Sequence, residues 1–288
     1  MRRAAIPPLM IVTRFAPSPT GHLHIGHAHS ALAGWRAAKG GGGRFLLRIE
    51  DIDPGRCRPE YEAAIHEDLA WLGLAWEMPV RRQSEHLADY RAALARLDAI
   101  GVLYPCFCSR KDIQAEIAAS GQAPHDPAGP RYAGICRALP RAEAEARIAA
   151  GRPHALRLDA AKAAAITGPL TWQDLGRGII PVDPLRLGDV VLARRDVPAS
   201  YHLAVTVDDA LQGVTLVTRG EDLACASHVH RLLQALLGLA PLIYRHHLLL
   251  RNEAGARLAK RDGALALRAL RAAGRMPAEV RAMAGSPD

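Results

Sequence analysis

The sequence predicts an α/β protein whose strands form a parallel, Rossmann-like sheet, and three observations indicate this fold class. An apolar run at residues 9–12 predicts a buried strand, and a helical pattern at 28–38 follows it after a turn rich in proline and glycine. A second apolar run starts at Phe45, so the helix would cross over between two parallel strands. Buried-strand character returns at 188–194 and 215–218, which predicts a second half of the same sheet.

The first turn, residues 14–27, has the sequence R-F-A-P-S-P-T-G-H-L-H-I-G-H. Proline stiffens a turn by fixing φ, and glycines such as Gly26 let a ligand approach the backbone. A strand, a tight turn and a helix together aim backbone N–H groups at an anion. His24 and His27 flank Gly26 at the predicted helix start, where both rings could donate hydrogen bonds to a phosphate. Surface histidines on an ordinary turn are the alternative, but the length of the patterned run favours the functional interpretation.

The second strand, predicted at 45–51, ends in acidic residues, with Glu50 and Asp51 inside it and Asp53 just beyond. These side chains would lie at the carboxyl edge of the sheet, where open α/β proteins bind ligands. A carboxylate there could hold an ammonium group, and an ordinary loop acid is the alternative.

Two amphipathic helices are predicted next, at 59–74 and 84–100, the second with Ser84 as its N-cap. Residues 104–187 are predicted to form an insertion between the two halves of the sheet. Its last part, 166–187, mixes proline, glycine and tryptophan and predicts irregular connecting structure.

The insertion contains three of the five cysteines of the chain. Cys106 and Cys108 are two residues apart, so both thiols face the same side of an extended segment, and Cys136 follows later. A structural zinc ion is usually held by four ligands, often cysteines, so three thiolates and one further donor would complete such a site. Reduced thiols without a shared role are the alternative.

The second half of the sheet contributes a candidate anion-binding residue. Arg219 follows the strand predicted at 215–218, and its guanidinium could grip a carboxylate through two parallel hydrogen bonds. A surface ion pair with Glu221 or Asp222 is the alternative.

The last strand is predicted at 242–250, with His246 and His247 as ordinary strand residues. The basic segment R-L-A-K-R at 257–261 follows it, and Lys260 could neutralise charge that develops on a phosphate. A solvated basic loop is the alternative.

Composition bounds the class of protein. The formal net charge is +8, which suits a polyanionic partner such as RNA. An odd number of cysteines and the lack of a secretory signal favour a reducing compartment, so we expect a cytoplasmic protein. No run of about 18 apolar residues occurs, so no membrane partner is expected. A monomer is the expected oligomeric state.

These motifs resemble the class I aminoacyl-tRNA synthetases, whose signature is H-I-G-H. The preceding R-F-A-P-S-P-T-G is similar to the glutamyl branch, because Ala16, Ser18 and Thr20 differ from the glutaminyl pattern. L-R-I-E-D-I-D, the block at 201–209 and R-G-E-D at 219–222 resemble further blocks of that branch, and R-L-A-K-R falls where the family has K-M-S-K-S.

The resemblance implies roles for individual residues. The catalytic residues would be His24, His27 and Lys260. The implied glutamate site consists of Arg14, Phe15, Ala16, Pro17, Ser18, Glu50, Tyr201 and Arg219. The implied ATP site consists of His24, Gly26, His27 and Lys260, with Mg²⁺ accompanying ATP.

The insertion resembles the zinc-binding insertion of truncated glutamyl-synthetase relatives, which implies one structural zinc ion per chain. Cys106, Cys108, Tyr132 and Cys136 would be its ligands, and His125 is a rival to Tyr132 for the fourth position.

Only 28 residues follow Lys260, which leaves no room for an anticodon-binding domain. The resemblance is therefore to the truncated synthetases that attach L-glutamate, activated with ATP, to queuosine in tRNA(Asp). Three alternatives remain: a fragment of a conventional glutamyl-tRNA synthetase acting on tRNA(Glu), a non-catalytic binding protein, and another nucleotidyl transferase of the H-I-G-H superfamily that acts on a small molecule. The expected division is a first catalytic half at 1–103, a zinc-binding insertion at 104–187, a second catalytic half at 188–250, and a K-M-S-K-S-like loop with a short helical tail at 251–288.

Overall fold

The computed structural model describes residues 10–109, 111, 132, 134–194, 197–250 and 266–285. The strands are β1 (Val12–Phe15), β2 (Arg44–Ile49), β3 (Glu77–Arg82), β4 (Leu103–Cys106), β5 (Ala155–Leu158), β6 (Thr171–Asp174), β7 (Gly178–Pro181), β8 (Val191–Ala193), β9 (Leu216–Gly220) and β10 (Ile243–His247). The helices are α1 (Ile25–Gly40), α2 (Pro59–Trp71), α3 (Leu87–Ala99), α4 (Arg141–Ala149), α5 (Ala160–Thr167), α6 (Tyr201–Leu211), α7 (Ala226–Leu236), α8 (Leu267–Ala272) and α9 (Pro277–Met283).

The predicted parallel sheet is confirmed. β1 pairs in parallel with β2 and β2 with β3, while β9 pairs in parallel with β10. The two halves meet where the Thr215 N–H donates to the Val12 carbonyl over 2.9 Å. The strand order therefore reverses between β1 and β9, and such a switch point opens a crevice at the carboxyl ends of the strands.

The first strand extends further along the chain than the apolar run predicted. It continues through Thr13 and Arg14 to Phe15, and all four of its residues are buried. Because two of its four residues are polar, this strand does not form a continuous apolar run, although it is buried on both faces. As a result, the first residues of the patterned turn are strand residues.

The predicted irregular structure at 166–187 was wrong in part, because β6 and β7 form an antiparallel hairpin there. β6 also pairs in parallel with β10, so the hairpin extends the second half of the main sheet. The strands are only four residues long, too short for a clear alternation in the sequence. A separate antiparallel sheet has the order β4-β5-β8. The prediction that 188–194 belongs to the main sheet was therefore wrong, because β8 pairs with β5. Strand pairing thus crosses the expected boundary at residue 187, and the four-part division stays a prediction.

The start of the second predicted helix was also wrong. α3 begins at Leu87, and Ser84 lies in a 3-10 turn, Gln83–His86, before it. The Ser84 hydroxyl donates to the Asp51 carboxylate over 2.6 Å instead of capping the helix. A competing side-chain acceptor across the sheet edge therefore overrides a local capping signal.

The short helices near the carboxyl end pack against the first half of the sheet. Leu267, Leu270 and Val280 belong to the same apolar core as α1 and β2. The Leu267 N–H donates to the Leu23 carbonyl over 2.9 Å, so this part of the chain returns to the first turn. Among the described residues, none of the helices has the length and apolar character needed to cross a bilayer.

Candidate active site

The first turn ends in a reciprocal cap at the start of α1. Nδ1 of His24 accepts the Gly26 N–H over 3.1 Å, and Nδ1 of His27 accepts the His24 N–H over 3.2 Å. Because both Nδ1 atoms are acceptors, the neutral rings carry their protons on Nε2. The ring centroids lie 3.8 Å apart. A side chain on Gly26 would have its Cβ 3.0 Å from the His24 ring, so glycine permits this packing.

A cleft of about 430 Å³ opens at the switch point between β1 and β9. Ten of the residues predicted for the glutamate and ATP sites line it: Arg14, Phe15, Ala16, Ser18, His24, Gly26, His27, Glu50, Tyr201 and Arg219. Pro17 is not part of this lining, but its carbonyl accepts the Glu50 N–H over 3.0 Å and ties the turn to the end of β2. Residues far apart in the sequence thus share one cavity.

A buried charge cluster forms the floor of the cleft. Oδ1 of Asp209 accepts from Nε of Arg14 over 2.9 Å and from Nη1 of Arg48 over 2.6 Å. Nη2 of Arg48 also donates to Glu50 over 3.1 Å. Burial raises the pKa of Glu50 above its ordinary value, although the Arg14 and Arg48 guanidinium groups oppose this shift. A cation that binds in the cleft would therefore stabilise the ionised form of the Glu50 carboxylate.

Arg219 also lines the cleft but has different hydrogen-bond partners. Its Nε donates to Nε2 of His246 over 3.2 Å, and its Nη2 donates to the Ser227 hydroxyl over 2.5 Å. Its Nη1 lies 3.3 Å from the Tyr201 hydroxyl and 3.3 Å from Nδ1 of His230. The side chain is buried, and within the described part of the chain none of its hydrogen-bond partners is a carboxylate. A buried cation surrounded by neutral partners is a strong site for an anion.

Two histidines near Arg219, His202 and His246, are held neutral. Burial and the Arg219 charge lower the pKa of His246 to about 4, against the opposing effect of Asp174, and lower the pKa of His202 to about 3. His246 lies between Arg219 and Asp174, and His230 contacts His202 over 3.2 Å. His246 is a strand residue as predicted, but its contacts with Arg219 and Asp174, which the sequence did not indicate, make it part of the site.

His247 is also a strand residue as predicted, and it lines the cleft, which the sequence did not indicate. Its Nε2 lies 3.1 Å from the Ser30 hydroxyl, and its ring centroid lies 4.5 Å from that of His29. The two rings form part of the wall on the side of α1.

The cysteines of the insertion form a compact group with Tyr132. The Sγ atoms of Cys106, Cys108 and Cys136 all lie within 4.8 Å of one another, and those of Cys108 and Cys136 are 3.9 Å apart. The Tyr132 hydroxyl is 3.3 Å from the sulfurs of Cys106 and Cys108. Two sulfurs bound tetrahedrally at about 2.3 Å from a zinc ion would be about 3.8 Å apart, so the donor set fits a metal of this kind. His125 lies outside the described residues.

Lys260 and the rest of the basic segment lie outside the described residues, but both flanks of that segment are described. Leu249 and Leu250, which precede it, line the cleft. Ala266, which follows it, forms an isolated antiparallel bridge with His24. The chain therefore leaves and rejoins the described structure beside the first turn.

Several site residues were missed in the sequence. No role was predicted for five residues that hold the predicted ones in position: Arg48, Asp209, Ser227, His230 and His246. Arg48 and Asp209 lie inside the recognised blocks at 47–53 and 201–209, but the three others lie outside any recognised motif. A signal existed for Arg48, since a charged residue inside the buried run F-L-L-R-I must find a partner. No comparable local signal marks the histidines.

Comparisons with known proteins find relatives of one family. The sequence model of the tRNA synthetases class I (E and Q), catalytic domain, matches residues 10–283. A protein of Rhodobacter capsulatus named Glutamyl-Q tRNA(Asp) synthetase is 51% identical over 281 residues, which cover 96% of this chain and 100% of that protein. A protein of the same name from Nocardia farcinica is 44% identical, with 94% and 82% covered.

A solved structure is also similar. The crystal structure of the glutamate-tRNA synthetase from Elizabethkingia anophelis matches with a TM-score of 0.75 and 29% identity over 88% of this chain. The match covers 53% of that synthetase, so this chain corresponds to about half of its length.

Proposed function

This chain belongs to the class I tRNA synthetases of the E and Q type, and we propose that it is a ligase that activates L-glutamate with ATP and transfers it to the queuosine base of tRNA(Asp). The observation that carries the amino-acid choice is Arg219, a buried cation with neutral partners that opens into the cleft beside the H-I-G-H turn. A side-chain carboxylate is the ligand that such a site favours.

The reaction proceeds in two steps. An oxygen of the glutamate α-carboxylate attacks the α-phosphorus of ATP, the bond to the β-phosphate oxygen breaks, and glutamyl-adenylate and pyrophosphate form. A hydroxyl of the queuosine cyclopentene ring then attacks the acyl carbon, loses its proton, and AMP leaves. Both steps need positioning and charge stabilisation and no covalent enzyme intermediate.

The residues of the cleft divide between the two substrates. Arg219 and Tyr201 bind the side-chain carboxylate of glutamate, Glu50 binds its ammonium group, and Arg14, Phe15, Ala16, Pro17 and Ser18 complete that pocket. His24, Gly26, His27 and Lys260 bind ATP, and the Nε2–H groups of the two histidines donate to phosphate oxygens. Mg²⁺ enters with ATP as its counter-ion.

An acceptor assay tests this function directly. We expect the protein to attach labelled glutamate to tRNA(Asp) that contains queuosine, and not to the same tRNA with guanine in that position. Transfer to tRNA(Glu) instead would identify a conventional glutamyl-tRNA synthetase fragment. If no glutamate-dependent exchange of pyrophosphate into ATP occurs, the chain is a non-catalytic relative.

We also propose that the cysteine group binds one structural zinc ion through Cys106, Cys108, Cys136 and Tyr132. The Phe107 N–H donates to Sγ of Cys136 over 3.3 Å, an arrangement that stabilises a thiolate. The Arg157 guanidinium lies 3.8 Å above the Tyr132 ring, so a buried positive charge faces a donor set that loses protons to bind a metal. A site closed by four protein ligands is structural, and it would tie β4 to the 3-10 turn Ile135–Ala138.

Metal analysis of the purified protein is therefore expected to show about one zinc ion per chain. Cys108→Ser and Cys136→Ser should lower both the zinc content and the melting temperature, because the ion links separate segments. Cys57→Ser and Cys225→Ser are matched controls, since these free thiols lie outside the group, and both should keep the full zinc content. A folded and active protein that contains no zinc would contradict the proposal.

A further inference from the structure

His246 links the candidate carboxylate site to the β6–β7 hairpin. Nε2 of its ring accepts from Nε of Arg219 over 3.2 Å, and Nδ1 lies 2.6 Å from Oδ2 of Asp174. The side chains of His246 and Asp174 are fully buried. The ring is stacked on Tyr244 at an interplanar angle of 4° and meets Trp172 edge-on, so it cannot turn freely.

The partners of His246 fix its tautomer. A guanidinium can only donate hydrogen bonds, so Nε2 is the acceptor and Nδ1 carries the proton, which it donates to the Asp174 carboxylate. The carboxylate is itself anchored, because its Oδ1 accepts the N–H groups of Gly176 and Arg177 in the hairpin turn. The direction of every hydrogen bond from the hairpin to Arg219 is therefore determined.

We propose that Asp174 and His246 are positioning residues that hold the Arg219 guanidinium in the orientation that binds the side-chain carboxylate of the substrate. This inference rests on the proposed use of glutamate. The imidazole has two effects: it fixes the plane of the guanidinium through Nε, and it separates Asp174 from Arg219. Without this spacer the two charges could pair directly, and the cation would then be neutralised before a substrate arrives.

The donors of Arg219 show why its orientation matters. A guanidinium has five N–H groups. The Nε–H group donates to His246, the two N–H groups of Nη1 donate to Tyr201 and His230, and one N–H group of Nη2 donates to Ser227. Within the described residues, one N–H of Nη2 remains for a ligand, so a small rotation would withdraw it from the cleft.

The isosteric variant Asp174→Asn tests this relay. Both carboxylate oxygens of Asp174 accept hydrogen bonds, so an amide nitrogen must face either the turn N–H groups or His246. If the amide nitrogen faces His246, it donates to Nδ1 of the imidazole. The imidazole proton must then move to Nε2, where it points at the N–H of Arg219 and breaks that hydrogen bond. We expect KM for glutamate in pyrophosphate exchange to rise about 10- to 100-fold, the effect of one lost hydrogen bond to a charged group, with KM for ATP unchanged.

His246→Phe is the second variant, because it keeps the aromatic packing and removes the acceptor. It should raise KM for glutamate to a similar extent, and the double variant should be no worse than either single one, since both act through the same contact. His228→Phe is the matched control. His228 packs edge-on against the same Trp172, with ring centroids 5.7 Å apart, but its Nδ1 accepts the Asp183 N–H and it does not contact Arg219. It should leave KM for glutamate unchanged.

The outcomes separate the two proposals. If the wild-type protein shows no glutamate-dependent exchange, the proposed function fails. If the wild type is active and both variants keep its KM for glutamate, the positioning role is wrong. A parallel rise of KM for ATP and glutamate, or multiplying effects in the double variant, would also overturn it, because either result indicates a general structural role.

Discussion

Replacing Arg219 by alanine is expected to lower kcat/KM for glutamate by about 10²- to 10⁴-fold, the usual result of truncating one partner of a buried charge pair. The protein should stay folded. In the ligand-free protein this guanidinium is buried among hydroxyl and imidazole groups, and a buried cation without an anion is a cost to stability. The apolar variant Arg219→Met should therefore melt at the same temperature as the wild type or higher, while it loses glutamate use.

Steady-state pyrophosphate exchange with varied glutamate measures the first effect, and thermal unfolding measures the second. Arg245→Ala is a suitable control, because Arg245 lies on the neighbouring strand β10 but is exposed. It should change neither quantity appreciably. Unchanged kinetics for glutamate in Arg219→Ala would remove Arg219 from the pocket and with it the main argument for the amino acid.

The sequence allowed the first turn and four strands of the main sheet, β1, β2, β9 and β10, to be predicted, for physical reasons. β3, which pairs with β2, was not predicted. Strands buried on both faces need continuous apolar runs, and a tight turn before a helix needs proline and glycine, so both leave local signals. The hairpin β6–β7 left no such signal, because its strands are short and its partner β10 lies some 70 residues further along the chain.

Separation along the chain also explains which residues of the site could be predicted. Arg219 could be predicted because it lies at the end of a strand, at an edge where ligands bind. Its partners His230 and His246 are 11 and 27 residues away, and Asp174 is 72 residues from His246. The parallel order of β9, β10 and β6 brings Arg219, His246 and Asp174 together, and α7 contributes His230. An isolated histidine in a strand carries no indication of which neighbour it will meet.

Asp209 should have the largest effect on stability among the residues of the cleft. Its carboxylate accepts hydrogen bonds from Arg14 and Arg48, which come from β1 and β2, while Asp209 itself lies on α6. Asp209→Asn keeps the shape and removes the charge, so two buried guanidinium groups lose a shared anion. We expect the free energy of unfolding to fall by about 3–5 kcal/mol, measured by urea denaturation at pH 7.

The pH dependence of this effect gives a separate check. Burial alone would raise the pKa of Asp209, but Arg14 and Arg48 outweigh it and hold the pKa below its ordinary value. A depressed pKa contributes stability above the unfolded value of about 3.9, and that stability is lost as the pH falls through the folded value. The difference between wild type and Asp209→Asn should therefore be large at pH 7 and shrink below about pH 4. Glu77→Gln, which breaks an exposed ion pair with Arg44, should show a much smaller difference at pH 7. If both variants lost stability equally, the buried cluster would not be the main link between α6 and the strands β1 and β2.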